Sequence, residues 1–250
     1  MVGILLTVNT REPLDNPACP GEPLMDRFDN LTLRERITAH LRSEILSNRI
    51  APGTLLQEVP LAEQLGTSRG PIREALGSLA AEGLVTITPR RGAVVTTLTK
   101  SEFLEAYQVR EVLESLGARL AAPIISAASL GAMAAAIGDM ERAAADQDVD
   151  LFFDANTAFH GALMDASGNR KLVEIHRRLV SQMGPYRRPS ARLRGNLERS
   201  IAEHQAILDA VRASDVELAA ALVLEHVRVP QQRLETLSDE AFARESGVIE

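Results

Sequence analysis

The chain has 250 residues, 27 basic and 34 acidic side chains for a net charge of −7, with 45% hydrophobic residues, 3% aromatics and no tryptophan. Its size suits one large domain or two ordinary ones, and the apolar share is enough to bury a core. The single cysteine, Cys19, excludes an internal disulfide, and no apolar run approaches the roughly 20 residues that a membrane span needs. These features point to a cytoplasmic protein with no membrane partner.

Charge is uneven along the chain. Residues 1–27 hold 2 basic and 4 acidic side chains, residues 28–100 hold 9 and 7, and residues 101–250 hold 16 and 23. The middle segment is therefore net basic, and the acidic total does not exclude a nucleic-acid partner.

Residues 1–27 carry four prolines and no regular period; they read as a disordered tail, or as a stretch upstream of a start at Met25. Thr32 and Glu35 form a capping box, and Ile37, Leu41 and Ile45 follow at helical spacing, which predicts a helix over 33–47. After the turn "APGT", Pro60 opens a short second helix with Leu61 and Leu65 inward, and Gly66 stops it. Ser68 caps a third helix that buries Ile72, Ala75, Leu76 and Leu79 and closes at Gly83. Two β-forming runs, "LVTIT" and "AVVTTL", flank the turn "PRRG". This order predicts a winged helix-turn-helix domain over residues 28–99.

Thr99 and Glu102 make a second capping box, and no strand signal follows. Helices are expected over 101–122, 129–145, 149–166, 170–183, 196–213 and 215–229, broken at Pro123, Gly168, "GPYRRPS" and "ASD". The chain is thus mainly α, with an all-helical domain over residues 100–240 and a C-terminal tail over 241–250.

A helix-turn-helix lays its last helix in the major groove, so that helix must be apolar on one side and cationic or polar on the other. Arg69 and Arg73, four residues apart, lie opposite Ile72, Leu76 and Leu79. Thr67 and Ser68 offer hydroxyls and backbone N–H groups to phosphate, Gly70 and Gly77 allow close backbone approach, and Arg90, Arg91 and Gly92 tip the hairpin. The bland reading of two arginines is a solvated helix face; the full element order favours double-stranded DNA. With so small a net positive charge one module binds weakly, so a homodimer on a two-fold operator is expected.

Residues 31–99, with "LRSEILSNRIAPGTLL", "LAEQLGTSRGPIREALGSLAAEGLV" and "RRGAVV", resemble the winged-helix domain of the GntR family of bacterial transcription regulators. The following "EAYQVREVLESLGARLAA" and "FHGALMDASGN" resemble the FCD effector domain of its FadR-type branch. The resemblance implies DNA contacts from Arg69 and Arg73, with Thr67, Ser68 and Gly70 beside them and Arg91 and Gly92 on the wing. One departure is Val59-Pro60, where some relatives carry a DNA-contacting arginine.

His160, His204 and His226 each fall on the inward stripe of a different helix, and Asn156 shares the face of His160. Imidazole suits zinc, nickel, iron and copper. Each histidine alone reads as a core residue, and a metal-free polar pocket stays open as the alternative. The resemblance implies a divalent metal held by three histidines and an aspartate four residues before the first; here Asn156 stands in that place. A divalent transition metal is expected, zinc first, with nickel or iron as alternatives. The resemblance also implies that Arg110 grips the carboxylate of a small organic acid; the competing reading is a surface salt bridge to Glu114. His176 falls off its stripe and reads as solvated, and Arg187, Arg188, Arg192 and Arg194 read as a solvated loop, with a dimer or phosphate contact as the alternative.

These readings converge on a ligand-responsive repressor that is not an enzyme. A metal-dependent enzyme is the rival, weakened because spacing places no inward carboxylate as a general base; a DNA-binding protein with a purely structural bundle is the other.

Overall fold

Thr32 opens helix α1 (Leu33–Leu46) with the anticipated reciprocal cap, its hydroxyl accepting from the Glu35 N–H while the Glu35 carboxylate accepts from the Thr32 N–H at 2.8 Å. The computed structural model to which this helix belongs describes residues 31–88, 91–192 and 197–245. The N-terminal tail assigned to residues 1–27 lies outside that set. After α1 the chain turns through Asn48, whose φ of 56° is the left-handed conformation common just past a helix end.

A two-residue strand β1 (Leu55–Leu56) follows, then α2 (Glu58–Gln64), α3 (Arg69–Ala81), β2 (Val85–Thr88) and β3 (Gly92–Val95). The three strands form an antiparallel sheet in the order β1-β3-β2, with Val85 opposite Val95, Thr88 opposite Gly92 and Leu56 opposite Ala93. Ile37, Leu41, Ile45, Leu56, Ile72, Leu76, Leu79 and Val95 pack into one core. Strand β1 extends the expected hairpin, and Gly92 makes that addition feasible. Its φ is +113°, and a Cβ there would overlap the Leu56 carbonyl oxygen.

A second capping box, Thr99 with Glu102, starts α4 (Lys100–Ala121). Then come α5 (Ala127–Ala145), α6 (Val149–Ala166), α7 (Arg170–Arg192), α8 (Leu197–Arg212), α9 (Val216–Glu235) and α10 (Asp239–Glu245). They enclose a separate core that includes Phe103, Tyr107, Phe159, Leu163, Met183, Tyr186 and Val223. No helix among the described residues is long and apolar enough to cross a membrane.

Two sequence expectations give way here. The "GPYRRPS" break is absent, since α7 runs through Gly184 and Pro185, and α9 likewise contains Pro230. Burial explains α7: Met183 and Tyr186 are fully enclosed, and the Tyr186 hydroxyl accepts a hydrogen bond from the Leu98 N–H at 2.6 Å. Tertiary contacts offset the donor that proline lacks. The expected C-terminal tail opens instead with α10, whose Phe242 is buried and stacks on Tyr186 at 5.8 Å.

The same stretch of α7 carries the winged-helix unit. Asn48 donates through Nδ2 to the Pro185 carbonyl at 2.9 Å. Leu46 lies directly over Gly184, where a Cβ would overlap it, and Gln182 lies over Gly83.

Gly92→Ala is expected to strain the wing through both its φ and the overlap with Leu56, costing about 1–3 kcal/mol or more. Urea unfolding of the variant beside the parent protein measures this, and an unchanged midpoint would contradict the described packing of β1 on β3.

Candidate DNA-binding face and metal centre

The buried stripe of α3 forces its remaining residues outward. Ser68 occupies the N-cap position in extended conformation, yet its side chain makes no capping hydrogen bond. Ser68, Arg69, Gly70 and Arg73 are exposed, Thr67 is half-buried, and a Cβ at Gly70 would meet open space. A cleft of about 540 Å³ between α2, α3 and the wing is lined by Glu58, Arg69, Arg73, Thr88, Arg91 and Gly92, among others. Arg69, Arg73, Arg91 and Gly92 therefore share one surface, while Thr67, Ser68 and Gly70 sit at the amino end of α3 outside the lining. Arg90 lies outside the described residues.

Glu58, the first residue of α2, was not anticipated on this face. Arg73 donates through Nε to Glu58 Oε1 at 2.8 Å and through Nη2 to Oε2 at 2.7 Å, and Arg69 Nη2 reaches Oε2 at 3.3 Å. The hydrogen bonds from Arg73 lead in lowering the Glu58 carboxyl to about 2.

At the other site, α6, α8 and α9 bring His160, His204 and His226 together, all buried. One ring nitrogen of each lies within 4.8 Å of the others. His204 Nδ1 faces the Ser200 carbonyl at 2.6 Å. A carbonyl only accepts, so Nδ1 carries the proton and Nε2 keeps its lone pair. His226 Nδ1 faces Glu203 Oε2 at 2.8 Å, which leaves Nε2 available there too. His160 Nδ1 stands 2.9 Å from Glu114 Oε2, at ion-pair distance. Its Nε2 lies 3.3 Å from His204 Nε2: with the His160 proton on Nε2 this is an ordinary N–H···N hydrogen bond, and with the proton on Nδ1 both nitrogens present lone pairs. Burial pushes His160 down to about 3 and His226 to about 4, against the upward pull of Glu114 and Glu203. Both rings are therefore neutral near pH 7, the form that ligates a metal.

Asn156 is buried on the same face of α6, and neither its Oδ1 nor its Nδ2 has a hydrogen-bond partner. A buried amide without partners is costly unless something else engages it. Three buried imidazoles with outward-turned Nδ1 atoms beside an idle amide oxygen fit a divalent transition metal. Asp154, two residues away, is exposed.

Glu114 corrects two expectations. It is fully buried on the inward face of α4, so an inward carboxylate does exist in the bundle. Its bridge to Arg110 is also buried: Arg110 Nε donates to Oε1 at 2.6 Å and Nη2 to Oε2 at 3.3 Å. The stripe Phe103, Tyr107, Arg110, Glu114, Ala118 held the signal at steps of three and four. His176, expected in solvent, is likewise buried, with Nε2 at 2.8 Å from Glu114 Oε1. Its neighbour Ile175, expected inward, is 53% exposed. Burial alone would raise the Glu114 carboxyl; Arg110, His160 and His176 overcome it and hold it well below the usual carboxylate range. Arg187, Arg188 and Arg192 fall within α7 rather than a loop, but their side chains, and Arg194 altogether, lie outside the described residues.

A winged helix-turn-helix with an arginine-lined cleft, joined to a helical bundle with an imidazole centre, has clear relatives. Residues 33–95 match the gntR family of bacterial regulatory proteins and residues 105–229 match the FCD domain. The chain is 31% identical over 229 residues to an uncharacterized HTH-type transcriptional regulator in an unstable DNA locus of Streptomyces ambofaciens, covering 90% of this chain and 96% of that one. It is 30% identical over 202 residues to a probable D-xylose utilization operon transcriptional repressor of Paenarthrobacter nicotinovorans, covering 80% and 88%. Among solved structures, E. coli McbR/YncC shares the fold with a TM-score of 0.71 at 24% identity, over 82% of this chain and 98% of that one. The chain belongs to the gntR family of bacterial transcription regulators and carries that family's FCD domain, a family of regulators and not of enzymes.

Glu114→Ala is expected to leave Arg110 buried and uncompensated, at a cost of about 3–5 kcal/mol. Guanidinium unfolding measures it. A loss near zero would mean that water or another group already shields Arg110.

Proposed function

We propose that the protein is a metal-dependent, ligand-responsive repressor, with residues 28–99 binding a two-fold DNA operator and residues 100–240 binding metal and effector and forming a homodimer. The observation that supports it most is the imidazole centre, where three buried ring nitrogens converge within 4.8 Å beside an Asn156 amide that has no hydrogen-bond partner. Three imidazole nitrogens and an idle amide oxygen gathered away from water make a ligand set for a cation.

His160, His204 and His226 would hold the ion, with the Asn156 amide oxygen as the fourth protein ligand; zinc suits this set, and nickel or iron would also fit. Bound there, the metal would supply a Lewis-acid contact for an oxygen of the effector. None of the four ligand groups is a carboxylate, and this bears on the effector. Arg110 offsets Glu114 and Arg199 offsets Glu203, so the surrounding ion pairs leave the charge of a divalent ion largely unmatched, and an anionic effector would balance it. A small carboxylate or sugar acid fits. Arg110 has five donors, of which two go to Glu114, so it retains donors for a carboxylate.

The DNA face would be Arg69 and Arg73 with Thr67, Ser68 and Gly70, plus Arg90, Arg91 and Gly92 from the wing. Phosphate would meet the exposed amino end of α3, and base edges the arginines. Dimerisation has support from α4, where Val109, Val112 and Leu116 form an apolar stripe 40–58% exposed; a second copy of the chain would cover it. Effector binding acts on DNA affinity by favouring one arrangement of the two winged helices.

Three measurements test this reading. Adding zinc to chelator-treated protein should raise the melting temperature, and a panel of carboxylates and sugar acids should raise it further only with metal present. Asn156→Asp should bind zinc more tightly, because a carboxylate is the stronger ligand. No shift with zinc, nickel or iron would remove the metal from the proposal. Separately, Arg69→Ala with Arg73→Ala should abolish binding to a duplex selected by the protein from a random-sequence library. Retained affinity would place the DNA face elsewhere.

A further inference from the structure

Glu58 is the unexpected residue of the cleft. It stands at the amino end of α2, where a carboxylate is favoured by the helix dipole. Its side chain is 21% exposed and pairs with two arginines whose side chains are 61% and 65% exposed. Long exposed arginines are ordinarily mobile. Here one carboxylate collects both from a helix whose sequence lies 11 and 15 residues away.

The pairing consumes particular donors. Arg73 gives Glu58 its Nε edge, so its Nη1 side faces away from the pair; Arg69 gives only Nη2, so its Nε and Nη1 are uncommitted to Glu58. A DNA phosphate would compete for the same bidentate edge of Arg73, because phosphate and carboxylate match the guanidinium fork in the same way. A guanine edge asks for less. Its O6 and N7 are neutral acceptors that the outer edge of the guanidinium can engage while Glu58 stays in place.

Resting on the assignment of Arg69 and Arg73 to the DNA face, the geometry points to Glu58 as a specificity-determining residue. It occupies the phosphate-matching edge of Arg73, fixes Arg69 beside it, and turns the free edges of both toward acceptor-rich base edges such as guanine. It also halves the net charge of the pair, from two to one, which weakens attraction to DNA of any sequence. Discrimination thus gains on both sides: the arginines are positioned for the right duplex and less attractive to the wrong one.

The test uses full-length protein and two probes: a duplex selected by the parent protein from a random-sequence library, and a scrambled duplex of the same composition. Glu58→Gln keeps the shape and removes the charge. It should bind the scrambled duplex at least as tightly as the parent, with a steeper salt dependence, and should lower the selected-to-scrambled affinity ratio about tenfold, the scale of one good base contact. A ratio within threefold of the parent's, or equal loss on both duplexes, overturns the inference. Should Glu58→Gln lower the melting temperature enough to confuse the result, Glu58→Asp, which keeps the charge but shortens the reach to Arg73, must also lower the ratio. The arginine double variant separates the two ideas. If it loses both duplexes while Glu58→Gln leaves the ratio intact, only the role of Glu58 fails; if it binds as the parent does, the DNA face itself is wrong.

Discussion

One buried carboxylate organises the helical half of this protein. Glu114 on α4 is held against Arg110 of its own helix, His160 of α6 and His176 of α7. An ionised group with so little water near it must be surrounded by donors, and those donors come from three different helices. Their placement fixes how the helices are rotated about their axes. Once Glu114 faces inward, His160 is oriented by it, and the other nitrogen of that ring is presented to His204 and His226. The orientation of the three rings is thus set one layer further out, by the oxygen atoms that face each Nδ1.

The winged-helix half solves a different electrostatic problem. Its cleft gathers cations that repel one another in the absence of DNA, and Glu58 relieves that repulsion with a single negative charge. Both halves therefore use one carboxylate shared between several cationic or donor side chains, but the burial differs. Glu114 is sealed and its network is structural; Glu58 is at the rim and its partners remain accessible to a ligand.

Much of this was readable in the amino-acid order. Capping boxes at Thr32 and Thr99 located two helix starts, and apolar spacing gave the winged-helix order and the inward faces of His160, His204 and His226. The misses share a physical origin. Periodicity locates a stripe to within about one residue, and at the edge of the stripe on α7 that ambiguity exchanged Ile175 for His176. Glu114 stood on a legible stripe, but charge argued for the surface, and only the partners supplied by other helices reverse that preference. Continuation of α7 through Gly184 and Pro185 depends on Tyr186, Leu98 and Phe242 meeting in space, which no local window contains. Strand β1 is two residues long, too short for any period, and Glu58 meets Arg69 and Arg73 only because α2 and α3 cross.

The seat of α1 on α7 has a mechanical consequence. At Gly184 the side chain of Leu46 rests on bare backbone, and beside it Asn48 is tied to the Pro185 carbonyl. Gly184 contributes no side chain of its own to change rotamer and absorb movement. Nine residues earlier on the same rod, His176 is anchored in the Glu114 network, about 13 Å along the axis at 1.5 Å per residue. A slide or roll of this rod would carry the seat of α1 with it, so a shift at the Glu114 network and a shift of the winged helix share one lever.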